Sequence, residues 1–600
     1  MSDASNKIGF GKIFWPSFLA VLVVSIIGML LFFLILGGII GSFGDFGPQP
    51  MSLKDKTVLH ITLDGEIGEK SDNKFNPGTF QLNKKIGLSD LLYGFERAKK
   101  DDKIKGVFIE IGDVSCGYST AREIRNAIND FEKSGKFAIA YNKGEVISLK
   151  EYYIASAADK NYGFPTSNME MLGLGAELSF FKGTLDKLDI EVEVIRGSNN
   201  DFKSAVEPFF RSNMSDSSRL QVERYLNSIW QDIRMDIAKD RKIDQNSLNE
   251  IAEEGKIRRA EDAVDYKLLD GVMYRDEMIA MLNKKLGLKN NDEVELQAFE
   301  KYAKKKFYQD QILVRNEKPN IAVILAEGGV ATDGDGLTSK EICKLFQDVR
   351  KNKSIKSVVF RINSPGGSAL ASEEIWREVK LTNKTKKVIV SMGDVAASGG
   401  YYIATPATAI FAEPTTITGS IGVFGMIPYM GAMFENKLGI SFDRAMTNSH
   451  AILTTNRKLT PEELSMIQDE VDEIYDLFKE RVAEGRKMSK EKVDILARGR
   501  VWTGKDALSI GLVDKLGGIE DAINYAADKA KIKTKKVLYY PLKKDDKWMA
   551  LIEQLEDENE EISIEIEAMP EELVREYQKI KRIEDWMGIQ MRLPYEIELK

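Results

Sequence analysis

The first long pattern along the chain is an uninterrupted apolar one. Ile13 to Phe43 carries no charged residue and is dense in Leu, Ile, Val and Phe. A bilayer span needs roughly 20 apolar residues, so this run is long enough to cross with some tilt. A cleaved signal peptide would have an apolar core of only about 7–15 residues, and the pattern therefore predicts a retained transmembrane helix. Lys7 and Lys12 precede it and Asp45 is the first charge after it. The positive-inside rule then leaves a short cytoplasmic N-terminus and puts the rest of the chain outside that compartment. Phe14 and Trp15 suit an interfacial aromatic anchor.

Beyond the apolar run the pattern alternates short β-branched stretches with longer amphipathic ones. Ile321 to Leu325, Val358 to Ile362 and Lys387 to Ser391 read as strands. Between them, Thr338 to Lys351 and Ser368 to Thr382 have helical spacing of apolar residues, as at Ile342, Leu345 and Phe346. Such alternation predicts an α/β fold with mainly parallel sheets and crossover helices. Thr460 to Arg486 reads as a long helix, capped by Thr460 and opened by Pro461. The stretch from about Asp545 to Lys600 is strongly acidic and reads as a C-terminal extension that could carry an interaction helix.

The pattern also occurs twice. Ile104-Lys-Gly-Val-Phe-Ile-Glu-Ile111 returns as Ile355-Lys-Ser-Val-Val-Phe-Arg-Ile362, about 250 residues later. Tyr152-Tyr153-Ile154-Ala155 returns as Tyr401-Tyr402-Ile403-Ala404, and Lys187-Leu188-Asp189-Ile190 as Lys437-Leu438-Gly439-Ile440. An ordered series of this kind implies a tandem duplication. The expected division is an anchor over residues 1–48, repeats over 49–317 and 318–545, and an extension over 546–600.

Composition narrows the functional classes. With 600 residues, of which 43% are hydrophobic, the chain can bury several cores. The net charge of -8 comes without basic stripes, so nothing in it suits nucleic acid. Cys116 and Cys343 have no metal-like spacing and read as free thiols. Asp333-Gly334-Asp335-Gly336 lacks the remaining ligands of a calcium loop, and there is no phosphate-binding loop. His60 and His450 are the only histidines. His60 lies in an apolar strand, and His450 in a polar stretch without an evident carboxylate partner.

Candidate chemistry emerges where the two copies differ. Setting the Tyr-Tyr-Ile-Ala segments together puts Ser398-Gly399-Gly400 on Leu149-Lys150-Glu151, so a small hydroxyl-bearing turn stands where the first copy has bulky and charged residues. Likewise Asn363-Ser364-Pro365-Gly366-Gly367 falls opposite Gly112-Asp113-Val114-Ser115-Cys116. Two glycine turns after successive strands can bring backbone N–H groups to a substrate carbonyl, and a helix starting near Ser398 would add its positive end. Taken alone, the motif leaves Ser398 either a nucleophile or a small residue in a tight turn. A nucleophilic serine needs a base. With histidine poorly supported, a buried lysine could serve, because desolvation disfavours its ammonium form. Spacing does not say which lysine.

Together with Phe202-Lys203-Ser204-Ala205-Val206-Glu207-Pro208-Phe209 and Thr418-Gly419-Ser420-Ile421-Gly422-Val423, these motifs resemble the bacterial signal peptide peptidases, or protease IV family, in their long duplicated form. The resemblance covers nearly all of residues 55–540 and the N-terminal anchor. It implies tandem Clp protease/crotonase-like domains and a membrane-anchored serine endopeptidase, on the bacterial inner membrane with its catalytic region outside the cytoplasm. It implies Ser398 as nucleophile, Lys203 from the first repeat as general base, and Ser420 as the group that orients the lysine. Gly367 and Gly399 would line the oxyanion hole, with Gly366 shaping its loop. It further implies a homotetramer acting on signal-peptide remnants and other extended apolar peptides, with no metal or cofactor. A crotonase-type acyl-CoA enzyme and a silent scaffold are the competing classes. The first would leave Lys203 and the membrane segment without a role, and the second the intact Ser398, Lys203 and Ser420.

Overall fold

The computed structural model describes residues 53–71, 73–76, 81–84, 86–288, 294–334, 336–542 and 588–592, with Gly28 and Met29 besides. The chain divides into two units, Met1–Ser52 and Leu53–Lys600. Of the first, only Gly28 and Met29 are described, and they are helical. The rest of the expected anchor lies outside the described residues, among which no helix is long and apolar enough to cross a membrane.

The second unit is built on two large sheets. The first has six strands, all parallel to their neighbours, with Ile104–Ser115 between Thr57–Glu66 and Phe137–Asn142 at its centre. The second runs Val501–Thr503, Ile417–Gly419, Lys387–Ala397, Ser357–Ser364, Ile321–Glu327 and Val537–Tyr540, parallel except at its Val501–Thr503 edge. The expected parallel α/β architecture is observed. Ile321 to Leu325 are all buried, because helices cover both faces of such a sheet and its strands read as continuous apolar runs.

Ser339–Lys351 and Ala369–Asn383 form the expected helices, with Thr338 and Ser368 accepting from Glu341 N and Ala371 N. Pro461–Arg486 begins where its cap predicts: Glu463 N donates to Thr460 Oγ1 at 3.2 Å and Thr460 N to Glu463 Oε2 at 2.8 Å. One reading is corrected: the strand read as ending at Ser391 continues to Ala397. The helix expected from about Ser398 follows as Gly399–Ala404, with Ser398 at its N-cap. In the described part of the acidic extension, Gly588–Arg592 is a strand. Most of that extension lies outside the described residues.

A third sheet interlocks the two halves. Its order is Leu337–Thr338, Val330–Ala331, Gly366–Ser368, Gly588–Arg592, Phe424–Tyr429 and Glu191–Arg196. Glu191–Arg196 comes from the first repeat and pairs antiparallel with Phe424–Tyr429 of the second, in register from Arg196↔Phe424 to Glu191↔Tyr429. Polar contacts join the halves elsewhere. Gly117 N, Thr120 N and Thr120 Oγ1 donate to the Asp394 carboxylate at 3.1, 2.8 and 2.6 Å. Arg361, fully buried, reaches Glu69 and Glu123 of the first repeat.

Candidate active site

Ser398 sits at the junction between the Lys387–Ala397 strand and the short Gly399–Ala404 helix. Its backbone has φ 55° and ψ -115°, a region that costs a side-chain-bearing residue about 1–3 kcal/mol. The turn is held on both sides: Ser398 N donates to Gly419 O at 2.8 Å and Tyr402 N to Ser398 O at 2.8 Å. The short helix that follows places its N-terminal end next to Ser398, as the sequence suggested.

Lys203 arrives from the first repeat in the turn after the Glu191–Arg196 strand. An apolar cluster of Ala205, Val206, Phe209, Phe424 and Met426 packs that turn against the cross-repeat strand pair. Gln221 acts as a clasp. Its Nε2 donates to Phe202 O at 3.1 Å and to Ser204 Oγ at 2.8 Å, and its Oε1 accepts from Val501 N at 3.2 Å. Phe202 N donates to Arg498 O, while Gly499 N and Ser420 N bind Ile421 O and Arg500 O. The loop at 498–501 thus holds the lysine segment and the Ser420 segment at once. Gly499 has φ 74°, and a methyl group there would lie 2.5 Å from Lys203 Cβ. Sequence reasoning missed Gln221 and Gly499, because nothing local marks a residue whose partners lie across the fold.

The three polar side chains singled out in the sequence meet. Lys203 Nζ lies 2.8 Å from Ser398 Oγ, 3.0 Å from Ser420 Oγ and 3.0 Å from Ser420 O. All three residues are fully buried. Burial alone pushes the Lys203 amine well below its ordinary value of 10.5, since among the described residues no carboxylate stands beside it to hold the proton. A neutral amine has two N–H bonds and one lone pair. With the N–H bonds spent on the two Ser420 oxygens, the lone pair is left for the Ser398 hydroxyl.

Gly366 closely approaches Gly399, the residue after Ser398. Gly366 N donates to Ser364 Oγ at 3.2 Å, and Gly366 itself has φ 95°. A methyl group on it would come within 2.6 Å of Gly399 N, and one on Gly367 within 2.2 Å of Val330 O. Only glycine allows this approach of two backbone segments. His60 is elsewhere, on the first sheet, bonded to Glu110 and stacked on Phe108. His450 does have a carboxylate neighbour, contrary to the sequence reading: Nδ1 is 3.7 Å from Glu463 Oε1, where the Pro461–Arg486 helix begins. Cys116 and Cys343 are unpaired.

Ser420→Ala removes one of the two acceptors that orient the amine. Such a bond between neutral groups is worth about 0.5–1.5 kcal/mol, so kcat on a peptide substrate is expected to fall about 2–10-fold with KM little changed. Steady-state kinetics of the variant check this.

Comparison with known proteins agrees with the motifs. The model of peptidase family S49 matches residues 130–289 and 380–533, one segment in each repeat. The chloroplastic serine protease SPPA of Arabidopsis thaliana is 35% identical over 490 residues, covering 79% of this chain and 69% of that protein. Protease 4 of Haemophilus influenzae is 33% identical over 517 residues, covering 82% of each chain, and Protease 4 of Salmonella typhi 34% identical over 470 residues, covering 76% of this chain and 74% of its own. Similarity that spans both repeats, and runs through most of these relatives' length, makes the chain a serine peptidase that belongs to peptidase family S49.

Proposed function

We propose that this serine peptidase is a membrane-anchored endopeptidase using a Ser-Lys dyad divided between its repeats, residues 49–317 supplying Lys203 and residues 318–545 supplying Ser398. Its substrates are signal-peptide remnants and other extended apolar peptides, met outside the cytoplasm by a homotetramer held at the membrane by residues 13–43. The observation that carries the reading is the 2.8 Å separation of Lys203 Nζ and Ser398 Oγ, beside an amine whose pKa burial pushes well below its ordinary value.

Neutral Lys203 takes the Ser398 proton as Oγ attacks a peptide carbonyl. The backbone N–H groups of Gly367 and Gly399 receive the developing oxyanion in a loop shaped by Gly366. Lys203 then passes the proton to the leaving amine and activates the water that releases the acyl group, while Ser420 keeps the amine aimed throughout.

The test is hydrolysis of an unstructured, signal-like peptide by the detergent-solubilised protein beside Ser398→Ala. The variant is expected to lose about 10,000-fold or more in kcat. The wild-type rate should rise with pH as Lys203 loses its proton and level off once the amine is neutral, at a pH well under 10.5. Undiminished hydrolysis by Ser398→Ala, or a rate that falls as pH rises through this range, would sink the dyad.

A further inference from the structure

Four neighbouring parallel strands of the second sheet, Lys387–Ala397, Ser357–Ser364, Ile321–Glu327 and Val537–Tyr540, all begin on one edge, opposite the edge that carries Ser398. The segments at these starts are residues 384–387, 351–356, 317–320 and 531–536, in the same order. They hold eleven lysines and one carboxylate, Glu317, in a chain whose net charge is -8. No stripe shows along the chain, because the segments are scattered between positions 317 and 536. Parallel pairing gathers them. Lys356 N donates to Asn320 O at 2.8 Å, and the Asn320 side chain donates to Thr534 O at 2.8 Å and accepts from Lys536 N at 2.9 Å. Glu317 pairs with Lys536 at 3.0 Å.

Helix C-termini lie at the same edge, and a lysine that binds their carbonyls has a structural role. Lys386 does this for the helix Ser339–Lys351, its Nζ donating to Val349 O and Asn352 O. Lys136 of the first repeat does the same for Leu88–Lys100, donating to Ala98 O at 2.6 Å and Asp101 O at 2.7 Å. That role needs one lysine per helix, and the first repeat meets it in mixed company, with Asp101, Asp102 and Asp159 also standing just before its strands. The second repeat carries further lysines, among them Lys318, Lys353, Lys384, Lys387, Lys531 and Lys533, all exposed. Among the described residues none of these six has a carboxylate partner. Like charge is crowded here: burial, and then the charge of Lys356, hold the Lys386 amine below its ordinary value. Apolar side chains stand beside the lysines. Ile312 and Leu313 are 41% and 55% exposed, about one turn before Glu317 on the helix Phe299–Asn316, whose Gln311 binds Val537 O at 3.0 Å and Tyr539 N at 2.9 Å.

We infer that this lysine edge docks on the anionic headgroups of a lipid bilayer, with Ile312 and Leu313 entering the interface beside it. The inference rests on the proposed reading of residues 13–43 as a membrane anchor: once the chain is tethered, individually weak charge contacts at high local lipid concentration hold a second surface down. The residue types favour lipid over a nucleic acid strand. The four segments contain no arginine and no aromatic side chain, so they offer neither bidentate phosphate recognition nor a stacking platform. Ammonium groups on flexible stems suit a fluid array of headgroups, and exposed apolar residues at the rim suit its interface. Because the edge lies opposite Ser398, docking turns the catalytic edge of this sheet away from the lipid, toward peptides that have left it.

The test compares the full-length protein in nanodiscs of phosphatidylcholine alone and of phosphatidylcholine mixed with phosphatidylglycerol. A water-soluble amine-reactive reagent labels exposed lysines, and mass spectrometry reads the rate at each. Lys353, Lys387 and Lys533 are expected to label at least about threefold more slowly in the anionic discs, a difference that high salt removes. Lys437, outside these segments and paired with Asp189, should keep its rate. In Lys318→Glu/Lys384→Glu/Lys531→Glu the protection of the remaining lysines should disappear, while circular dichroism and the denaturant midpoint stay close to those of the wild type. Equal labelling in the two discs, or protection that the variant retains, overturns the inference. So does salt-sensitive binding of a single-stranded oligonucleotide without lipid-dependent protection, which would assign the edge to nucleic acid. Failure of the anchor reading looks different: the protein would not enter phosphatidylcholine discs. The edge would then show itself as salt-sensitive co-sedimentation of the wild type, but not of the variant, with phosphatidylglycerol vesicles, and no co-sedimentation in that case overturns the inference as well.

Discussion

Lys203→Met is expected to lower kcat for peptide hydrolysis by about 10,000-fold or more, as removal of one member of a nucleophile-base unit does elsewhere. Methionine keeps most of the volume in a fully buried site, so the loss would reflect the missing amine and not a collapsed pocket. A second readout separates the base from a merely structural lysine. The folded chain holds the Lys203 amine below its ordinary value of 10.5, whereas the unfolded chain restores that value. Between the depressed folded value and 10.5 the unfolded state binds more protons, so stability rises with pH across that interval. The penalty of burying the lysine is full below the folded value and fades as pH approaches 10.5. Wild type should therefore gain unfolding free energy relative to Lys203→Met between pH 7 and pH 10. Denaturant melts of both proteins at the two pH values check this, and a constant difference would mean that the lysine carries its proton in the folded chain.

Arg361→Met is expected to cost about 3–5 kcal/mol of stability, read as a lower denaturant midpoint. Arg361 has no exposure, and all three nitrogens of its guanidinium are bonded: Nε to Glu69 Oε1 at 2.8 Å, Nη2 to Glu123 Oε1 at 2.6 Å, and Nη1 to Ser391 Oγ at 3.0 Å and Met392 O at 3.1 Å. Burial, opposed by Arg361, already leaves the Glu69 carboxyl at about 7. Without the guanidinium, two carboxyl groups are stranded between the repeats. Because Glu69 and Glu123 come from the lysine-bearing repeat and Arg361 from the serine-bearing one, activity should fall with stability. Arg361→Met/Glu69→Gln/Glu123→Gln, which removes the charges together, should recover much of the loss. If it is no more stable than Arg361→Met, stranded charge is not the cause.

Much of the second unit was legible because its signals are local. Six buried residues in succession at Ile321–Ala326 announce a strand covered on both faces, and Thr460-Pro461 with Glu463 announces a helix start that needs no distant partner. The proposed duplication rests on signals of the same kind, repeated in the same order. The misreadings are where local signals lose to tertiary ones. Val395-Ala396-Ala397 look like a turn before Ser398, yet they extend a strand because Ile417–Gly419 pairs with them. His450 looked isolated because Glu463 reaches it only across the turn that opens the following helix.

The chain's own residues determined the class of architecture, the two glycine turns and the contrast between Ser398 and Leu149, since each is a matter of spacing and residue type. Even the choice of Lys203 came from resemblance to a family and not from spacing. Only the folded molecule decided which groups meet. Lys203 and Ser398 are 195 positions apart, and their approach depends on the antiparallel pairing of Glu191–Arg196 with Phe424–Tyr429 and on the Gln221 clasp. It also decided that Gly588–Arg592 is a strand between Gly366–Ser368 and Phe424–Tyr429. Backbone pairing of that kind uses groups every residue carries, so it leaves no mark in the sequence that makes it.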